Sequence, residues 1–95
     1  MIISEQELYE DAIKLWGKES QVLMAIEEMG ELLQVLSKVT RKVNGCPVID
    51  VINEIVDVDI LLQQLKVVFE VKDKHYNIIK AKKLQKLKSI IDKCK

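Results

Sequence analysis

The stretch from Pro47 to Phe69 most constrains what this chain can fold into. After Pro47 it contains neither glycine nor proline, and its apolar residues, from Val48 and Ile49 through Ile55, Val56, Ile60 and Leu61 to Val68 and Phe69, fall on nearly every side of a helical projection. Many are β-branched, a preference shared with strands. Twenty-odd residues without a turn signal are too long for an ordinary strand and normal for a helix. A helix apolar all round belongs at the centre of a structure, and one 95-residue copy is not expected to cover it alone.

Composition narrows the cover to more helices. Three glycines and one proline in 95 residues leave too little turn material for a sandwich or barrel of short strands. The expected fold is all-α, a four-helix bundle in one domain over residues 1–95. A lone chain this short buries only roughly 60–65% of its unfolded surface, so completion of the bundle by a second copy is expected. No apolar run approaches the roughly 18–20 residues that span a bilayer, and no basic-then-apolar leader opens the sequence. Cys46 and Cys94 have no metal-site spacing and read as reduced thiols of a cytoplasmic protein.

Four helices follow in order. Ser4 with Glu7 three residues on is a capping-box pattern that opens a helix to about Trp16, and Gly17 is its stop. From Lys18 into the low forties, Val22, Ile26, Met29, Leu33, Leu36 and Val39 recur at helical spacing. Asn44-Gly45-Cys46-Pro47 is the clearest break, with Pro47 suited to a first helical position. A weaker break at Val71-Lys72-Asp73 precedes a last helix with a stripe of Ile78, Ile79, Leu84, Leu87, Ile90 and Ile91.

The acids carry the functional signal. Glu27, Glu28 and Glu31 project from one sector of the second helix, and Asp50, Glu54 and Asp57 form one stripe on the third. Carboxylates buried in a bundle are costly unless paired or metal-bound, and no basic residue lies between Lys42 and Lys66. An all-oxygen donor set favours Mg²⁺, with Mn²⁺ as a substitute. In an antiparallel hairpin the two acidic groups come level only if the second helix stops near Arg41. A di-iron site would need Glu-x-x-His pairs, and the chain has one histidine, His75.

The zero net charge hides a division. Residues 1–71 carry 13 acids and 6 bases, a net −7, whereas residues 72–95 carry 2 acids and 9 bases, a net +7. The bland reading of the basic run is a solvated helix face; the sharper one is a lid over an anionic ligand.

The segments Trp16-Gly17, Ser20-Gln21, Ala25-Ile26-Glu27-Glu28-Met29-Gly30-Glu31-Leu32 and Glu54-Ile55-Val56-Asp57-Val58 resemble the MazG-like all-α nucleoside triphosphate pyrophosphohydrolases. That family's pattern is E-x-x-E, a spacer, then E-x-x-D. Glu28 and Glu31 fill the first part, and Glu54 and Asp57 the second, with Asn53 where relatives often carry a further acid. The resemblance covers most of residues 5–90. It implies Mg²⁺ on Glu28, Glu31, Glu54 and Asp57, and hydrolysis of a nucleoside triphosphate to monophosphate and pyrophosphate. It also implies a homodimer or homotetramer. Glu27 is then the candidate proton acceptor. Lys38, two turns beyond Glu31 on the same stripe, is a candidate phosphate clamp, with Arg41, Lys80 and Lys83 further candidates. Trp16, Gln21, His75 and Tyr76 are candidates to stack on or hydrogen-bond a base.

Two other readings compete. One is a non-catalytic helical nucleotide-binding or interaction module; a narrower enzymatic one is phosphoribosyl-ATP pyrophosphatase. With one Trp, one Phe and two Tyr the chain has little stacking surface for nucleic acid, and no such partner is expected.

Overall fold

A computed structural model describes residues 3–41, 45 and 47–95. The described residues form four helices: α1 (Glu5–Trp16), α2 (Lys18–Thr40), α3 (Val48–Val68) and α4 (Asp73–Cys94). The all-α expectation holds, and no strand occurs among the described residues.

The helix ends follow from local chemistry. Ser4 Oγ accepts the Glu7 N–H at 3.1 Å and caps α1. Gly17, at φ 89°, ends α1 and starts α2 with no intervening residue. A side chain there would meet the left-handed steric penalty, which glycine avoids. At the end of α2 the Thr40 hydroxyl donates to the Leu36 carbonyl at 2.8 Å, and Arg41 is the cap. The helix therefore stops where a level pairing of the two acidic groups requires. Asn44 and Cys46 of the expected break lie outside the described residues. Pro47 is the N-cap of α3, one position earlier than expected.

The hairpin of α2 and α3 is the body of the molecule, and α1 packs on both. Among the described residues its buried ones are Gln21 and Ala25 on α2 and Leu61 and Val68 on α3.

Within one copy the arrangement is incomplete. The four-helix bundle does not form within one copy: α4 packs against none of the other helices, and every residue of α4 is exposed. The radius of gyration is 16.8 Å, against about 12 Å for a compact domain of this length. Consequently α3 is not buried on most sides: Ile52, Ile55 and Val56 are each about half exposed, at 48%, 51% and 49%.

The reason lies at the joint between α3 and α4. The Val71 N–H donates to the Lys66 carbonyl at 2.8 Å and the Glu70 N–H to the Val67 carbonyl at 3.1 Å, with Glu70 at φ 52°. This is a Schellman stop with glutamate in the left-handed position. It ends α3 sharply and sends α4 away from the hairpin. Lys66 Nζ sits 3.7 Å from the Tyr76 ring centroid and ties the first turns of α4 to the end of α3.

Candidate functional site

The acids expected to converge do so across the α2–α3 hairpin. Carboxylate oxygens of Glu28, Glu54 and Asp57 lie within 4.8 Å of one another. Glu28 and Glu54 are half-buried and Asp57 is exposed. Antiparallel pairing makes this possible: α2 presents Glu28 and α3 presents Glu54 and Asp57, one turn apart on one face. Exposed Glu31 adjoins the group and acts electrostatically on both half-buried acids.

Among the described residues no ion pair joins a cation to this group. Among the described residues the ion pair is Lys88–Asp92 on α4, at 2.8 Å. Glu28 Oε2 and Glu54 Oε2 are buried and lack hydrogen-bond partners. The Glu28 carboxyl is held above its ordinary acid range, first by burial and then by the neighbouring Glu31, with Asp57 and Glu54 adding repulsion. Glu54 is raised too, first by burial and then by the charges of Glu31 and Asp57, with Asp50 contributing least.

Three closely spaced carboxylates with two unpartnered oxygens fit a hard divalent cation such as Mg²⁺ or Mn²⁺. Among the described residues neither Cys nor His belongs to the group.

A recess of 220 Å³ opens beside the cluster, lined by Glu28, Asp57, Trp16, Gln21, Met24, Ile60, Leu61 and Gln64. It is smaller than the roughly 300–1,000 Å³ of pockets that enclose whole drug-sized ligands. Trp16, an exposed aromatic residue, lines this recess. Gln21 is buried, at 1% exposure, yet its Oε1 has no partner; the Gln64 Oε1 is buried and unpartnered as well.

The structure thus unites Glu28, Glu54 and Asp57, sets Glu31 against them, and lines the adjoining recess with Trp16 and Gln21. It does not bring the cations there within one copy. Lys38 and Arg41 share a separate recess at the end of α2 with Leu33, Gln34 and Ser37, and Arg41 Nε donates to the Ser37 carbonyl at 3.3 Å. Lys80 and Lys83 line a 690 Å³ groove along α4 with His75 and Tyr76. The basic lid is therefore not closed over the acids in cis: α4 does not pack along the hairpin and touches it only near the joint, where Lys66 meets Tyr76. Glu27 is exposed and stands outside the three-acid group.

Sequence reasoning missed Gln64. Its signal was spacing: Gln64 is seven residues after Asp57, as Gln21 is seven before Glu28, and seven residues return to the same helix face.

Comparison with known proteins yields nothing to set beside this geometry: no family model matches the chain, no curated protein matches and no solved structure matches.

Proposed function

We propose that this protein is a Mg²⁺-dependent nucleoside triphosphate pyrophosphohydrolase of MazG-like type, converting a nucleoside triphosphate and water to the monophosphate and pyrophosphate. The observation that carries the reading is the Glu28–Glu54–Asp57 group, with two buried unpartnered oxygens, beside a recess containing Trp16 and the buried Gln21. The cluster suits a cation carrying phosphates, and the recess suits a flat ring.

When bound, a divalent cation neutralises phosphate oxygens and makes water more acidic. The chain supplies the rest. Glu28, Glu31, Glu54 and Asp57 fix the cation's position. Glu27, exposed beside them and outside the three-acid group, is free to take the proton of the attacking water. Trp16 and Gln21 hold the base and so orient the triphosphate for in-line attack. In this reading the protein clears surplus or non-standard nucleotides in the cytoplasm. Among the described residues no helix is long and apolar enough to cross a membrane.

The same reading requires a homo-oligomer, a dimer or tetramer. On α4, Tyr76, Ile79, Lys80, Lys83, Leu84, Leu87, Ile90 and Ile91 fall within about 140° at 100° per residue, and all are exposed. Lys80 and Lys83 thus sit inside the apolar stripe, not on the solvated side. Burying that stripe buries two ammonium groups, which is tolerable only against anions. Residues 1–71 of a second copy supply net −7 and an exposed apolar α3. Docked there, α4 brings Lys80 and Lys83 towards the partner's acids, where they clamp the leaving pyrophosphate.

A panel of standard, deoxy and damaged nucleoside triphosphates, with phosphoribosyl-ATP included, tests the reading by the product released with Mg²⁺. Pyrophosphate from at least one triphosphate is the expected result. Orthophosphate as first product would move the attack to the γ-phosphate and defeat the assignment. Binding without turnover across the panel would favour the non-catalytic module.

A further inference from the structure

Two carboxamides lining the recess, buried Gln21 and half-buried Gln64, hold oxygens that nothing in the folded chain uses. Gln21 and Gln64 each hold a buried side-chain oxygen with no hydrogen-bond partner. The Gln21 amide nitrogen reaches only the Met24 sulfur, at 3.6 Å, a weak contact. An unpartnered buried polar group destabilises the fold, and two in one recess need an account.

Their placement supplies one. Gln21 precedes Glu28 by seven residues on α2, and Gln64 follows Asp57 by seven on α3. The helices run antiparallel, so both amides stand on the cluster's own face, about 10.5 Å from it at 1.5 Å per residue. That distance is a sugar-and-base length from a phosphate on the cluster. Leu61 and Ile60 supply apolar wall, and Trp16 offers its ring.

We propose that Gln21 and Gln64 form a paired reader for the hydrogen-bonding edge of a nucleobase, taking a nitrogen heterocycle that presents N–H donors to their open oxygens. The proposal rests on the nucleotide reading of the cluster and adds what recognises the base. An apolar ring or a bare polyphosphate satisfies neither oxygen, so neither gains from the recess. A site with buried acceptors rejects ligands that lack the matching donors, since the acceptors then stay unpaired.

Titration calorimetry with Mg²⁺ tests this, using the α,β-methylene analogues of ATP, GTP, CTP and UTP beside inorganic tripolyphosphate. The wild-type protein binds at least one analogue on the order of tenfold or more tighter than tripolyphosphate. Gln64→Leu and Gln21→Leu each remove most of that advantage and leave tripolyphosphate binding within about twofold, because the cluster is untouched. Each replacement deletes an unpartnered buried oxygen, so the melting temperature stays level or rises, which separates lost recognition from lost folding. Unchanged preference among the analogues in both variants would overturn the proposal. So would a wild-type protein that binds tripolyphosphate as tightly as every analogue. Failure of tripolyphosphate and all analogues to bind would instead remove the phosphate reading of the cluster, and the base reader with it.

Discussion

Helices α3 and α4 are nearly equal in length, 21 and 22 residues, and both carry charges within an apolar surface. Their settings differ completely. On α3 the interrupting charges are acids, and α2 and α1 cover part of the helix, leaving Glu54 half-buried beside Glu28. On α4 they are lysines, and beyond the Lys66–Tyr76 contact near its first turn no helix of the same copy packs on it. The contrast teaches that burial within one copy creates the strained acidic group, whereas the basic helix is a stripe still waiting for a surface. Most helices in proteins owe their stability to packing rather than to propensity, so an uncovered 22-residue helix is incomplete energetically as well as geometrically.

The sharpest way to break the comparison is to remove charge from the acidic side. Asp57→Asn or Glu31→Gln should lower Mg²⁺-dependent pyrophosphate release on the order of a thousandfold, the scale of losing several kcal/mol of metal-borne stabilisation. Without metal the same variants should melt at the wild-type temperature or higher, because repulsion is relieved. Near-normal turnover in both would discard the site.

Changes on the basic side should have the next largest effect. Leu84→Glu with Leu87→Glu should convert the oligomer to monomer in sedimentation at micromolar concentration. Lys80→Ala with Lys83→Ala should lower turnover about ten- to a hundredfold. Lys38→Ala should do less, since Lys38 lies in a different recess from the cluster. Mixing the lysine double variant with Asp57→Asn makes the two helices report on each other. If α4 serves a second copy, mixed oligomers regain one intact site and activity returns; if it serves its own copy, the mixture stays inactive. An 11.0 kDa species at every concentration would end the exchange idea.

A smaller effect is expected from pH. The folded-state pKa values of Glu28 and Glu54 are raised, first of all by burial. Between the ordinary carboxylate range and those raised values, the folded chain binds more protons than the unfolded one. Metal-free stability should therefore fall as pH rises through that window and level off above it. Thermal melts from mildly acid to neutral pH should show the decline, and Glu28→Gln with Glu54→Gln should flatten it. Saturating Mg²⁺ should reverse the trend, since cation and proton compete for the same oxygens. A rise in metal-free stability over that window would contradict the burial of these acids.

How much was legible beforehand follows from what each feature depends on. Ser4 capping α1, Gly17 ending it and the early stop of α2 are local, and residue chemistry within four positions decides them. The convergence of Glu28, Glu54 and Asp57 was legible because helical periodicity and one hairpin determine it. The position of α4 was not. Its stripe reads the same whether it packs on its own hairpin or on another, and the deciding feature, Glu70 at φ 52°, is a conformation that a glutamate does not advertise. Gln64 was hidden for a different reason: an amide in an apolar helix signals nothing until its oxygen is seen to lack a partner.

The smallest expected effect concerns the joint where the two regions meet. Glu70 holds the left-handed cap that glycine usually fills, at a cost of roughly 1–2 kcal/mol for a residue with a side chain. Glu70→Gly removes that cost but frees the unfolded chain, so the net gain in stability should be about 0.5–1 kcal/mol by denaturant titration. Assembly should move the other way. The left-handed residue and the Lys66–Tyr76 contact at 3.7 Å aim α4 outward, and glycine tolerates more directions than glutamate. A modestly weaker oligomer built from a more stable chain would show that the joint aims the helix rather than merely ending α3. Equal gains in both would mean that the cap serves folding alone. Tyr76→Leu is the companion test, because it keeps the apolar stripe and removes the ring beneath Lys66, so it should loosen assembly without the stabilisation.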